Sequence, residues 1–286
     1  MSGRLENSKA RNIRLVGLDL DGTVFTDEKT ITPATKDAIA RAVRAGVAVL
    51  PVTGRPRSGL PEEVLAIPGV RYAITSNGAM CEDLAEGSVL VRLAMDEETA
   101  LRALHIAEKY DVVIDIYIDG QAYTAAESMQ LVQTHVPESF RPYFLKTRRL
   151  VENREQLLRR KGRGAEKFTI LFRDMAQRAA AWQEFEQTGL FELSGGIPEN
   201  IEVNAKGVDK GRALLALAGR LGFSRGQTMA CGDASNDIAM LRAAGLGVAM
   251  GNATPEAVAA ADVQTDTNNN NGVAKAIRRW VLGEEV

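Results

Sequence analysis

Leu15-Val16-Gly17-Leu18-Asp19-Leu20-Asp21-Gly22-Thr23 is the stretch whose reading decides the fold. Its first half is an apolar run too short for an ordinary helix, and it reads as a buried parallel strand. The run stops on two carboxylates one residue apart, followed by a glycine and a hydroxyl. Ligands of open α/β sheets bind in the crevice beyond the carboxyl ends of the strands, which is where this reading puts Asp19 and Asp21. Carboxylates that close repel unless a cation lies between them or one keeps its proton. In isolation an acidic Asx-type turn after a strand would look the same.

Working outward, Thr32-Pro33 predicts a helix start, with a capping hydroxyl and proline at the first helical position, running to Ala45 and stopping at Gly46. Val47 to Val52 reads as a second strand ending in Thr53-Gly54-Arg55, Pro61 to Leu65 as a short helix, and Tyr72 to Thr75 as a third strand ending in Ser76-Asn77-Gly78. This alternation predicts a parallel, doubly wound sheet. The pattern then changes. Val89 to Leu93 reads as a strand, Glu97 to Lys109 as an amphipathic helix, and Val112 to Ile118 with Gln121 to Thr124 as a hairpin about Asp119-Gly120. Lys167 to Phe172, Met175 to Gln187 and Leu190 to Ser194 read as strand, helix and strand, so an α+β unit is expected inside the first domain. The doubly wound pattern resumes after Gly195-Gly196. Strands are expected at Ile201 to Val203, Thr228 to Cys231, Leu246 to Ala249 and near Val263; helices at Lys210 to Leu221, Ser235 to Ala244, from Pro255, and at Gly272 to Leu282. The expected fold class is α/β: a Rossmann-like core, residues 12–81 and 195–286, interrupted by an α+β cap at 82–194.

Composition bounds the function. A chain of 286 residues with 45% hydrophobic and 25% charged residues has material for two domains and an ordinary core. A net charge of −2 gives no reason to expect nucleic acid or a membrane surface as partner. The polar start, Met1 to Asn12, has no signal-peptide core and reads as a short disordered tail. No apolar run is long enough to span a bilayer, and the expected location is cytoplasmic. The two cysteines, Cys81 and Cys231, suit a reducing compartment as packing residues. The basic run from Lys146 to Arg163 is diluted by Glu152, Glu155 and Glu166 and reads as a solvated helix face and loop. His105 and His135 fall in the inserted unit, and no chemistry requires them.

Four strand or helix ends present polar groups at what should be one edge of one sheet: Asp19 with Asp21, Thr53 with Gly54, Lys210, and Asp233 with Asn236 and Asp237. Lys210 in the first turn of a helix opposes the macrodipole, which favours anions there. It makes sense if an anion binds between it and the free N–H groups. The plainer reading is a lysine in water beside a capping Asp209.

In this order the segments resemble the four motifs of the haloacid dehalogenase-like superfamily of aspartate-nucleophile phosphotransferases. Asp19-Leu20-Asp21-Gly22-Thr23 matches the first, Val52-Thr53-Gly54-Arg55 the second, Gly207-Val208-Asp209-Lys210-Gly211 the third, and Gly232-Asp233-Ala234-Ser235-Asn236-Asp237 the fourth. Asn77-Gly78-Ala79, Val248-Ala249-Met250-Gly251-Asn252-Ala253 and Gly272-Val273-Ala274-Lys275-Ala276-Ile277 are similar to the Cof-type branch, whose cap position, between the second and third motifs, is that of subclass IIB.

The resemblance implies a phosphatase of small phosphorylated metabolites, sugar phosphates above all. It implies Asp19 as nucleophile and Asp21 as the group that protonates the leaving alkoxide and then activates water. Mg2+ would be held by Asp19, the main-chain carbonyl of Asp21, and Asp233, with Asn236 and Asp237 orienting those ligands or their waters. Thr53, Gly54 and Lys210 would clamp the phosphoryl oxygens. Arg55 either touches the phosphate or ion-pairs nearby; Asn77 faces the same crevice; Lys206 is a rival to Lys210 that lies off the helix start. A phosphomutase on the same core and a non-catalytic phosphoaccepting regulatory module are the competing readings. A monomer or small homo-oligomer is expected.

Overall fold

The computed structural model describes residues 12–161 and 164–285. The expected N-terminal tail up to Arg11, and Gly162 and Arg163 of the basic run, lie outside the described residues.

The apolar run that opens the chain is strand β1 (Leu15–Leu18), buried at every position, and β2 (Ala48–Pro51) follows one helix later. Then come β3 (Tyr72–Thr75), β4 (Met80–Asp83) and β5 (Ser88–Arg92). The middle of the chain supplies β6 (Val112–Ile118), β7 (Gln121–Ala125), β8 (Arg148–Val151), β9 (Lys167–Phe172), β10 (Phe191–Ser194) and β11 (Asn200–Ala205). The last strands are β12 (Thr228–Gly232), β13 (Leu246–Ala249) and β14 (Val263–Gln264).

Five strands form a parallel sheet in the order β14-β13-β12-β1-β2. β1 lies between β2 and β12, so the chain leaves β1 on one side and returns on the other. That is the topological switch point at which α/β sheets open a ligand crevice. One apolar layer packs Leu18, Val49, Cys231 and Val248 against the helices Pro33–Arg44 and Gly272–Ile277. The opposite layer packs Leu15, Leu50 and Ala230 against the helices Lys210–Arg220 and Ile238–Ala243. Thr32 caps the helix that begins at Pro33, its hydroxyl accepting from the Thr35 N–H at 3.2 Å, as the Thr-Pro pair predicts. The β3-β4-β5 sheet is antiparallel and meets the parallel sheet through a Val52–Ile74 bridge. β5, expected in the inserted unit, therefore belongs to this layer.

The third sheet has the order β10-β11-β9-β6-β7-β8. The β6–β7 hairpin turns at Asp119-Gly120, as its sequence predicts. The strand expected to restart the parallel sheet at Ile201 to Val203 is β11, and it pairs antiparallel with β9 and β10 instead. Alternation identifies a strand, and which neighbour it finds is decided by packing. One face of this sheet carries Ile114, Ile116, Phe168, Ile170, Ile201 and Val203 onto the helices Glu97–Ala107 and Met175–Gln187. The residues between them, Asp115, Tyr117, Lys167, Thr169, Glu202 and Asn204, form the other face by the period-2 alternation of strands, and they too are buried. A polar face that is dry must be covered and hydrogen-bonded. Part of its cover is the turns that end β2 and β3.

Candidate active site

β1 and β12 run side by side, so the residues that follow them emerge together. The Asp19 N–H donates to the Cys231 carbonyl at 3.0 Å, and Asp233 stands two residues beyond. The carboxylates of Asp19, Asp233 and Asp237 lie within 4.8 Å of one another. Lys210 is fully buried and its ammonium spans two of them, donating to Asp19 Oδ1 and Asp237 Oδ1 at 2.7 Å each. Asp209 caps the helix through the Arg212 N–H at 2.8 Å, as the plainer reading had it, but Lys210 points inward and not into water.

Asp237 has its other oxygen on the N–H groups of Asp233 (2.9 Å) and Ala234 (3.1 Å), so it shapes the turn after β12 while holding Lys210. Thr23 donates to Asp233 Oδ1 at 2.7 Å, closing the end of the first stretch onto the fourth. Asn236 is half-buried in the same turn.

The electrostatics follow from this crowding. Burial, together with Asp237 and Asp233, raises the Asp19 carboxyl well above the ordinary range, against the pull of Lys210. Asp233 is pushed up to about 6 by burial and Asp237, with the Thr23 hydroxyl opposing. Burial would neutralise Lys210, but Asp19 and Asp237 outweigh it and hold it charged. The donor set is oxygen only, and its carboxylates are crowded beyond what one ammonium relieves. Such a set fits a hard divalent cation.

Asp21 is turned away from this cluster. Its side chain receives Arg55 Nε and Nη2 at 2.9 and 2.8 Å and the Lys29 ammonium at 3.1 Å. Burial acts to raise its carboxyl, but the Arg55 and Lys29 charges prevail and hold it below the usual range. Arg55 is thus ion-paired with Asp21.

Thr53 is buried in the loop after β2, and its hydroxyl accepts the Arg55 N–H at 3.2 Å. Gly54 is a close-approach position: a Cβ there would lie 2.8 Å from Asn77 Oδ1 and 3.3 Å from both Glu202 Oε1 and Lys167 Nζ. Asn77, in the left-handed region at φ 58°, directs its amide N–H onto Glu202 Oε2 at 2.7 Å. This ties the turn after β3 to the six-stranded sheet. Lys167 pairs with Glu202, and Asn204 donates to the Ser76 carbonyl at 2.9 Å. Sequence reading passed over Lys167 and Glu202. Their signal was a charge inside each of two apolar strand runs, which a buried strand tolerates only when paired.

The remaining candidates fall elsewhere. Lys206 is exposed, 3.4 Å from Glu192. His105 is exposed, and His135 is buried with Nδ1 near the Leu131 carbonyl. Arg148 corrects the reading of the basic run as solvated: its side chain is 1% exposed and paired with Asp115 at 2.7 Å. Arg154 is also largely buried, pairing with Glu127 and donating to Ser128 Oγ, while Arg159 is exposed and pairs with Glu155. Among the described residues no helix is long and apolar enough to cross a membrane.

Residues 16–277 match the haloacid dehalogenase-like hydrolase family. The chain is 33% identical over 271 residues to the 5-amino-6-(5-phospho-D-ribitylamino)uracil phosphatase YcsE of Bacillus subtilis (strain 168), covering 95% of this chain and 97% of that one. It is 29% identical to the pyridoxal phosphate phosphatase YbhA of Escherichia coli (strain K12), covering 92% and 97%. In fold it is similar to the subclass IIB sugar phosphatase BT4131, with a TM-score of 0.78 at 24% identity over 93% of this chain and 98% of that one.

Proposed function

The chain belongs to the haloacid dehalogenase-like hydrolase family and is a phosphatase of its Cof-type IIB branch, and from that premise we propose that it hydrolyses small phosphorylated metabolites with Mg2+ through an aspartyl-phosphate on Asp19. The observation that carries this reading is the buried Asp19 carboxylate at a strand end, 2.7 Å from a buried lysine and beside Asp233. Asp19 forms the bond to phosphorus as the ester oxygen leaves, and water later breaks the acyl phosphate to return the carboxylate. Lys210 favours the ionised form of Asp19 against the burial and neighbouring carboxylates that raise it, and presents positive charge where the phosphoryl oxygens would gather; the Thr53 hydroxyl and the Gly54 N–H would take further phosphoryl oxygens. Asp19, the main-chain carbonyl of Asp21, and Asp233 would hold Mg2+, which supplies neutralisation of the crowded carboxylates and phosphoryl oxygens. Asp237 and Asn236 orient the turn that carries Asp233.

Asp21 moves the proton, to the leaving alkoxide and then from water. With Arg55 and Lys29 on its oxygens it is ionised, the form that accepts a proton. That is the form the second step needs, the one that takes a proton from water.

The inserted cap, expected at residues 82–194, begins after β5 and runs through β11 by its strand pairing, and it selects the leaving group. The buried polar face of Asp115, Tyr117, Lys167, Thr169, Glu202 and Asn204 supports a leaving group rich in hydrogen-bonding atoms, because a polar group left unpaired there is penalised. The ribityl-bearing and pyridoxal substrates named for the two relatives are of that kind, and sugar phosphates fit equally. The test is phosphate release across a panel of phosphorylated metabolites with Mg2+, using wild type and a folded Asp19→Ala variant. Turnover by the variant would remove Asp19 from its role.

A further inference from the structure

Tyr143 belongs to none of the four motif segments, yet it stands between two arginines from different units. The Arg55 guanidinium carbon lies 4.4 Å from its ring centroid and that of Arg148 lies 4.9 Å away. Arg55 comes from the loop after β2 and carries Asp21; Arg148 opens β8 in the cap sheet and carries Asp115. The result is a continuous series across the boundary: Asp21, Arg55, Tyr143, Arg148, Asp115. Its cap end is rigid, because Arg148 is also packed against Phe140 and Phe144 at 5.5 and 4.9 Å.

The ring has little freedom. The buried Tyr143 hydroxyl makes no hydrogen bond of good geometry, and a Cβ placed on Gly59 would overlap it. Gly59 lies in the short helix Arg57–Gly59, and its carbonyl accepts Arg55 Nη1 at 3.5 Å. Contact, not hydrogen bonding, therefore holds the ring over Arg55. A guanidinium over an aromatic face is attracted by the ring quadrupole, more strongly when water is excluded.

We propose that Tyr143 is a positioning residue for the phosphatase reaction: with the cap seated, it fixes the Arg55 guanidinium and through it the Asp21 carboxylate. This rests on the reading of Asp21 as the proton-transfer group. A cap lifted off the core takes Tyr143 with it and leaves Arg55 free to release Asp21, so cap seating and Asp21 alignment become one event.

The test is steady-state kinetics of Tyr143→Leu, Tyr143→Phe, Arg55→Met and the double variant Arg55→Met with Tyr143→Leu, on one phosphomonoester with Mg2+. Tyr143→Leu should lower kcat about tenfold, the scale of one partly desolvated cation–π contact, with KM little changed because the groups read as binding phosphate remain. Tyr143→Phe should restore most of that kcat, since the hydroxyl contributes no hydrogen bond. In the Arg55→Met background Tyr143→Leu should add almost nothing, whereas a merely structural role would multiply the two losses. Multiplied losses, or a Tyr143→Phe as poor as Tyr143→Leu, would overturn the proposal. Gly59→Ala, whose added methyl would overlap the Tyr143 hydroxyl and push the ring aside, gives a second route that leaves Tyr143 itself unchanged: it should reproduce the kcat loss and be non-additive with Tyr143→Leu, and additivity counts against the proposal. Asp21→Asn separates the two levels. Wild-type turnover there removes the proton-transfer reading, while the Arg55–Tyr143 coupling stands or falls on its own cycle.

Discussion

Replacing Lys210 with methionine removes the cation that bridges Asp19 and Asp237 and leaves a side chain of similar length in its place. Lys210 and Asp237 are fully buried, Asp19 nearly so, and both contacts are 2.7 Å. Breaking a buried pair by deleting one partner costs about 3–5 kcal/mol, because the carboxylates left behind have neither water nor a counter-charge. With a urea m value of about 3 kcal/mol/M, the upper end for small proteins, the urea midpoint in chelator at pH 7 should fall by about 1–2 M. Added Mg2+ should return part of the loss, since a cation then stands among the same carboxylates. Acid should narrow the gap as well. The Asp19 carboxyl is already raised, by burial first and by Asp237 next, and loss of Lys210 raises it further. A group whose folded pKa exceeds its unfolded value favours the fold below the unfolded pKa and loses that advantage as pH rises through the folded one. The variant therefore gains on wild type as pH falls from neutrality. A midpoint equal to wild type in chelator at pH 7, or a deficit that grows in acid, would refute this account of the buried bridge.

Three further outcomes are expected. Asp233, pushed up to about 6 by burial and Asp237, must shed its proton to bind a cation. The Mg2+ concentration giving half-maximal activity should therefore climb as pH drops below that value and level off above it; a flat profile would remove Asp233 from the cation site. Arg148→Met leaves the Asp115 carboxylate buried without its partner and should destabilise the protein by about 3–5 kcal/mol in chemical unfolding, with Asp115→Asn in the same chain recovering part of it. Gly54→Ala places a Cβ 2.8 Å from Asn77 Oδ1 and 3.3 Å from the Lys167 ammonium. It should wedge the cap away, reducing kcat/KM and speeding limited proteolysis at the connections 93–96 and 206–208.

What the sequence revealed was whatever a local rule encodes. Asp19, Lys210 and Asp233 stand at strand and helix ends whose boundaries come from short-range signals: an apolar run, a capping Asp209, a glycine after a buried strand. Those signals predict the ends of β1 and β12, and the parallel register does the rest by setting Leu18 beside Cys231. The contacts that cross between units were not legible. Lys167 meets Glu202, and Asn77 meets Glu202 across 125 residues of chain, by sheet partnership rather than by spacing. Arg148 looked like one of several basic residues in water, because its aromatic surroundings, Tyr117, Phe140, Tyr143 and Phe144, converge only in three dimensions. The sheet that β11 joins is hidden for the same reason: Ile201 and Val203 announce a strand and say nothing of its neighbour.

The pairing of β1 with β12 also sets a timetable for synthesis. β1 leaves the ribosome early and finds β2 soon after, but its other edge stays open until Thr228–Gly232 has been made. The six strands of the cap sheet all fall between Val112 and Ala205, so that sheet can close on itself while β1 still waits. An unpaired apolar edge is the part of a nascent chain most prone to wrong partners, and chains emerge at about 5–20 residues per second. Lys210 follows Asp19 by 191 residues and Asp237 comes later still. A nascent chain shorter than that carries Asp19 without the Lys210 ammonium that pairs with it and without Asp237, which holds that ammonium in place.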